Sequence, residues 1–243
     1  MSITIVQYTD NSLEPAFAAR VQRELVKAAE GKRIISVSQQ PMDFGDNICM
    51  FGIGRNLHSL FLQALTGVKM ATTKYIALAE HDCLYTPEHF NWQPTDDNVF
   101  WYNVHHWFVN FQTGLYSYYR RKPMSMLICT RELFIPAVEE KLAMLETGFR
   151  LPNDRGVGVC EPGVIDGRPE FAAARTAWWQ SMKDVGKEPQ WEAKAFGTVL
   201  ANVDIRHGTN YSGNAYGPKM IRSRHKAMEL PYWGEFRQMW EAG

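Results

Sequence analysis

Three short apolar runs alternate with two amphipathic helical patterns, and no other feature of the chain limits its fold as much. The runs are Ile3 to Tyr8, Arg33 to Val37 and Tyr75 to Ala79. Runs of this length, rich in β-branched residues, suit strands buried on both faces. Between the first two, Phe17, Val21, Leu25 and Ala28 recur on one helical face, and Gly31 ends the pattern. Asn11 or Ser12 is expected to cap that helix, with Glu14 and Pro15 in its first turn. A second stripe, Ile53, Leu57, Leu60, Phe61, Ala64, Leu65 and Val68, follows Gly52 and Gly54. Strand, helix, strand in this order gives parallel pairing through right-handed crossovers. The expected fold is α/β, a mostly parallel sheet flanked by helices. At 243 residues, 45% of them hydrophobic, a single domain has enough apolar side chains for one core.

The remainder is more irregular. Asn98 to Arg121 carries eight aromatic residues from Trp101 to Tyr119 and reads as one or two strands with a turn near Gly114. Met124 to Cys129 reads as a strand and Thr130 to Glu146 as a helix disturbed early by Pro136. Asn153 to Gly167 is a Gly- and Pro-rich loop, Phe171 to Met182 a helix, Val199 to Ile205 a strand, and Glu235 to Glu241 a short terminal helix. Lys and Arg number 26 and Asp and Glu also 26, so net charge selects no partner class. Cys49, Cys83, Cys129 and Cys160 lack any paired spacing and are expected to be reduced thiols in a cytoplasmic protein. No stretch has the length of a membrane anchor, and the oligomeric state is not legible.

The third apolar run ends in Glu80-His81-Asp82, three groups that resist burial. Thr86-Pro87-Glu88 then looks like the start of a helix. The triplet therefore lies just beyond a strand's carboxyl end, where open α/β sheets bind ligands. Two carboxylates one residue apart can share a hard divalent cation, Mg2+ or Mn2+, with a phosphate-bearing substrate completing the shell. A solvated loop with a surface ion pair is the plainer reading. Near the other end, Asp204-Ile205-Arg206-His207-Gly208 again closes a strand with polar groups.

With the Arg55-Asn56 pair before the second helix, this order resembles the GT-A glycosyltransferases, in particular family-2-like members, and the resemblance runs from Ile3 to about Phe90. The Glu-His-Asp, Glu161-Pro162-Gly163 and Asp204-to-Gly208 segments are similar to those of a small bacterial and phage group of GT-A-like proteins. The resemblance implies a nucleotide-sugar donor and a metal on its diphosphate. Residues 1–95 would form the donor-binding half, and 96–243 the acceptor half with the C-terminal metal and diphosphate loop. The first acid of the motif is Glu rather than Asp, so the resemblance implies Asp82 as the metal ligand. Glu80 is left to ribose or to a metal-bound water. His207 would complete the metal shell, and Arg206 would neutralise the departing diphosphate. A structural His-Arg pair is the alternative. Tyr8 and Asp10 would meet the base and ribose. If the reaction inverts the anomeric carbon, a carboxylate must accept the acceptor's proton. Glu161 is the first candidate, with Asp166, Asp154 and Glu192 as rivals.

Residues 206 to 226 include Arg206, Lys219, Arg222, Arg224 and Lys226 and no acid. Such a stretch can contact phosphates, and the aromatics at 101 to 119 could stack a displaced base. A hydroxymethylated pyrimidine in phage DNA is therefore one expected acceptor. A cell-surface saccharide is another, and a non-catalytic nucleotide-sugar or nucleic-acid binding module is the reading from a different class. A loop closing over the donor diphosphate needs the same positive charge.

Overall fold

A computed structural model describes residues 2–118, 120–146, 161–163, 176, 177, 180, 191–208, 210 and 225–241. The strands are β1 Ile3–Thr9, β2 Ile34–Ser38, β3 Asp46–Cys49, β4 Tyr75–Glu80, β5 Cys83–Leu84, β6 Val99–Asn103, β7 His106–Asn110, β8 Tyr116–Tyr118, β9 Leu127–Thr130, β10 Glu192–Phe196, β11 Asn202–Arg206 and β12 His225–Ala227, besides a short hairpin at Glu229–Leu230 and Gly234–Glu235. The helices are α1 Pro15–Ala29, α2 Leu57–Met70, α3 Pro87–Asn91, α4 Arg131–Glu146 and a C-terminal helix, Phe236–Glu241.

The main sheet has the order β10-β6-β9-β4-β1-β2-β3. Every neighbouring pair is parallel except the two that β9 makes, with β4 and with β6. The fold is thus α/β and mostly parallel in its main sheet, as the alternation of runs and helices predicts. Side chains alternate across β1, so Val6 and Tyr8 pack among residues of α2 and α4 while Ile3 and Ile5 pack among residues of α1 and α3. Residues on β3 and β10 contain charged positions and are partly exposed, as befits sheet edges.

A second sheet, β12-β8-β7-β11-β5, was not expected. The aromatic segment supplies two of its strands, β7 and β8, with Gly114 at φ 71° in the turn between them, while its first strand, β6, joins the main sheet. This corrects the idea of an aromatic surface for stacking a base. Trp101, Tyr102, Phe108 and Tyr116 are all buried. They are core residues: β6 is buried along its whole length, and β7 and β8 are mostly buried. The Trp191 and Trp92 rings likewise pack on Phe100 and Phe196.

Local signals were misread at two helix starts. Asn11 does not cap α1. It stands at φ 57°, and its Oδ1 accepts from the backbone N–H groups of Gln39 and Gln40. Glu14 is the cap, accepting from the N–H groups of Ala16 and Phe17, with Pro15 at the first helical position. Helix α2 begins later than the apolar stripe suggests, at Leu57, where Asn56 accepts from the N–H of Ser59. Gly52 and Gly54 are turn residues at positive φ. Cys49, Cys83 and Cys129 are free thiols, while Cys160, Asp154, Asp166, most of the helix expected at Phe171 to Met182 and the basic residues Lys219, Arg222 and Arg224 lie outside the described residues.

Candidate functional site

Strands β4 and β5 belong to different sheets, and Glu80-His81-Asp82 is where the chain passes between them. A buried strand ends in three polar groups because the junction of the two sheets opens into a cleft. The cleft encloses about 1050 Å³, including its open mouth. Its walls come from both parts of the chain: Tyr8, Asp10, Arg55, Glu80, His81 and Asp82 from the first, Arg121, Glu161, Asp204, Arg206 and Asn210 from the second.

Strand β11 accounts for the long-range half. It pairs antiparallel with β5, placing Asp204 opposite Cys83, and the Ile205 N–H donates to the Asp82 carbonyl at 2.8 Å. The chain leaving β11 consequently returns His207 to the triplet, with its Nε2 at 3.5 Å from Asp82 Oδ2. Asn210 fixes that return. Its Oδ1 accepts from the N–H groups of His207 and Gly208, and its Nδ2 donates to Asp82 Oδ2 at 2.7 Å and to the Ile205 carbonyl at 3.0 Å. Gly208 takes φ 96°, a conformation suited to glycine. The Phe17 ring meets the His207 ring edge-on at 5.5 Å.

Tyr8 and Glu80 are register partners on β1 and β4, and the Tyr8 hydroxyl donates to Glu80 Oε1 at 2.7 Å. The phenol is buried, so its evident task is to hold this carboxylate. Asp10 forms an ion pair with Arg55, and its Oδ1 lies 3.6 Å from His81 Nδ1. That same nitrogen is 2.6 Å from Thr9 Oγ1. Arg206 reaches Asp204 at 2.7 Å and lies over the Phe108 ring at 4.4 Å, with Arg121 over the same ring at 5.9 Å. Glu161 is buried at the cleft wall. Its neighbours set its place: Tyr102 donates to the Pro162 carbonyl at 2.6 Å, and Gly163, at φ 70°, lies where a Cβ would come within 2.7 Å of Phe100. Glu192 lies on β10 and is exposed.

The carboxylates differ in character. Burial raises the Glu80 pKa, and the neighbouring Asp82 charge adds to it, reaching about 8 despite the Tyr8 hydrogen bond. Burial likewise lifts Asp204 to about 6, against the pull of Arg206. Burial would raise Asp82 too, but His207, His81 and Arg206 outweigh it and hold this carboxyl below the usual carboxylate range. Arg206 stays protonated, since Asp204 and Asp82 more than offset its burial. Asp82 is therefore firmly ionised between two carboxyls, Glu80 and Asp204, whose ionisation burial opposes.

Among the described residues, two sets of donor atoms lie close enough to share an ion, the atoms of each set within 4.8 Å of one another: His81, Asp82 and His207, and Glu80, Asp82 and Cys83. The first set is the better fit, because burial keeps the Cys83 thiol protonated. Sequence reasoning brought Asp82, His207, Arg206, Asp10, Arg55, Tyr8, Glu80 and Glu161 into one hypothesis, and the structure gathers all eight around this cleft. It missed Asn210, Arg121, Asp204 and His81. The only local hint of Asn210 was its residue type in the Gly- and Asn-rich loop that follows the strand, since Asn side chains readily hydrogen-bond nearby backbone in turns.

No protein-family model and no curated protein matches the chain. Among solved structures, a glycosyltransferase involved in glycosylation of the major capsid of PBCV-1 is similar with TM-score 0.45 and 10% identity, over 87% of this chain and 96% of that one. Residues 1–349 of S. aureus TarS, in complex with UDP-GlcNAc, match with TM-score 0.45 and 8% identity, over 89% and 62%. The mannosyltransferase PcManGT from Pyrobaculum calidifontis, in complex with GDP-Man and Mn2+, matches with TM-score 0.40 and 12% identity, over 86% and 58%. The bifunctional IspDF from Campylobacter jejuni is also similar, with TM-score 0.35 and 6% identity, over 82% and 50%. The chain spans less than two thirds of the last three. These likenesses concern fold, which by itself fixes no reaction.

Proposed function

We propose that the chain is a glycosyltransferase that moves a sugar from a nucleotide-sugar donor to an acceptor hydroxyl. The observation that carries this reading is the convergence, at the carboxyl ends of β1 and β4, of an ionised acid, an imidazole and fixed guanidinium groups. That is the equipment for holding a diphosphate beside a divalent ion. Asp82 and His207 would hold Mn2+ or Mg2+, and the spacing and chemistry of their donor atoms fit such an ion. When bound, it supplies positive charge against the diphosphate.

Residues 1–95 would bind the donor, and 96–243 would bind the acceptor and supply the metal and diphosphate loop that carries Arg206 and His207. Asp10 accepts hydrogen bonds from ribose hydroxyls, and Arg55 orients it. Arg206, aimed by Asp204 and Phe108, stabilises charge that accumulates on the leaving diphosphate. The acceptor oxygen attacks the anomeric carbon, the bond from that carbon to the diphosphate oxygen breaks, and the nucleoside diphosphate departs with the electron pair. Glu161 takes the acceptor's proton, a role supported by its buried position on the cleft wall. The acid-free stretch from Arg206 to Lys226 motivates a hydroxymethylated pyrimidine in DNA as the acceptor.

The test is a panel of UDP-, GDP-, ADP- and dTDP-sugars, followed by melting temperature and by release of nucleoside diphosphate. One donor should raise the melting temperature and be consumed. Asp82→Ala should abolish turnover, and Glu161→Gln should lower kcat by roughly 10²–10⁴ while leaving donor binding intact. If no nucleotide sugar binds or is consumed, the reading fails. Labelled donor offered to hydroxymethylated duplex and to oligosaccharide separates the acceptors, and label on the saccharide alone removes DNA.

A further inference from the structure

We propose that His81, the middle residue of the acidic triplet, is a third metal ligand, and that the site is built for a nitrogen-accepting transition ion such as Mn2+ rather than for Mg2+. This rests on the reading of the cleft as a divalent-ion site and extends it to a residue that a two-acid motif leaves without a task.

Three observations converge. Donor atoms of His81, Asp82 and His207 lie within 4.8 Å of one another, the spacing of ligands around one ion. His81 also lines the cleft rather than turning away from it. Its Nδ1 meets the Thr9 hydroxyl at 2.6 Å and faces the Asp10 carboxylate at 3.6 Å. A metal-binding histidine characteristically gives its other ring N–H to such partners, which fixes the tautomer and leaves the second nitrogen's lone pair for the ion. In that tautomer Nε2 is the ligand. Asp10 is itself anchored by Arg55, so the arrangement extends to a further layer.

The donor set then decides the ion. Mg2+ favours oxygen ligands and keeps several waters. Two imidazoles and one carboxylate favour transition ions, which accept nitrogen ligands, over Mg2+; Mn2+, the weakest binder of that series, is the one that also shares the oxygen preference of a diphosphate.

The experiment uses the full chain, stripped of metal, with Mn2+ alone as the probe and no nucleotide sugar. Electron paramagnetic resonance should show Mn2+ binding, and nitrogen modulations in the pulsed spectrum should report two coordinated imidazoles. Displacing Mn2+ should take a large molar excess of Mg2+. His81→Ala should weaken Mn2+ at least about tenfold and remove one imidazole from the spectrum, with circular dichroism unchanged. A wild-type spectrum with a single imidazole overturns the proposal and needs no variant to fold. So does a His81→Ala protein that binds Mn2+ as wild type does. Absence of Mn2+ binding in wild type would overturn both this inference and the metal-holding part of the function, whereas a one-imidazole spectrum removes His81 alone.

Discussion

Tyr8 and Glu80 face each other across β1 and β4, and the burial of this carboxyl beside Asp82 makes the cleft sensitive to protons in a definite direction, although the Tyr8 hydrogen bond works against it. Glu80 titrates near 8 in the folded chain against an ordinary value of 4.5, because burial and the Asp82 charge oppose its ionisation. Asp204 is lifted in the same sense, from 3.8 to about 6. A carboxyl with a raised folded pKa holds a proton that the unfolded chain has released, so its contribution is complete below the ordinary value and is lost as pH rises. In EDTA, the melting temperature should therefore fall between pH 5 and pH 8. Asp82, held low, acts oppositely and only in stronger acid. Glu80→Gln removes the main titrating group while keeping an acceptor for Tyr8, and it should flatten the profile over this interval. Differential scanning calorimetry of both proteins at matched ionic strength checks it. A wild-type profile that rises across the interval would contradict the assignment.

Helix α2 reaches the sheet more closely than a side chain would allow. Gly67 lies where a Cβ would run into Val6 and come to 3.0 Å from Val37, on β1 and β2. Gln63, one turn earlier, donates to the carbonyls of Thr9 at 2.7 Å and Val37 at 3.0 Å, closing off the strand ends beside the cleft. Gly67→Ala gains about 1 kcal/mol of helix preference, yet overpacking costs about 1–3 kcal/mol. The neighbours are β-branched side chains on buried strands with little room to move, so the overpacking term should win. Urea denaturation should show a lower midpoint with an unchanged slope. Local periodicity made β1, α1, β2, α2 and β4 legible in advance, and α3, α4, β11 and the C-terminal helix also lie close to where the sequence places them. Strand β3, Asp46–Cys49, was invisible because it is a short, partly exposed edge. The second sheet was missed because its register depends on contacts across the chain, such as Asn202 with His106. The same split holds for the site. Glu80 and Asp82 announce themselves as charges ending an apolar run, and His207 as a polar strand end. Asn210 and Asp204 gain meaning only once β11 lies beside β5.

The two sheets share one joint. The first donates Glu80 at the end of β4, the second brings Asp204, Arg206 and His207 from β11, and the triplet links them. Behind His207, Phe17 of α1 packs with Phe111 and Trp240, so the C-terminal helix braces the same corner. An ion clasped by Asp82 and His207 would tie this corner from two distant parts of the chain. A ligand that binds only the folded state stabilises it by mass action, about 2.7 kcal/mol at a concentration of 100 Kd. The distribution of that stabilisation is informative. If the ion merely coated surface acids, protection from hydrogen exchange would rise weakly around exposed groups such as Asp96 and Asp97. Binding at the joint should instead slow exchange together at residues 80–84 and 202–208, the segments whose backbones bond across it at Ile205 and Asp82. Asn210→Ala should lessen this joint protection, because Asn210 holds both the His207 turn and the Asp82 carboxylate. Exchange measured by mass spectrometry, with and without Mn2+, separates the two patterns. Protection confined to 80–84, with 202–208 unmoved, would show that His207 does not take part.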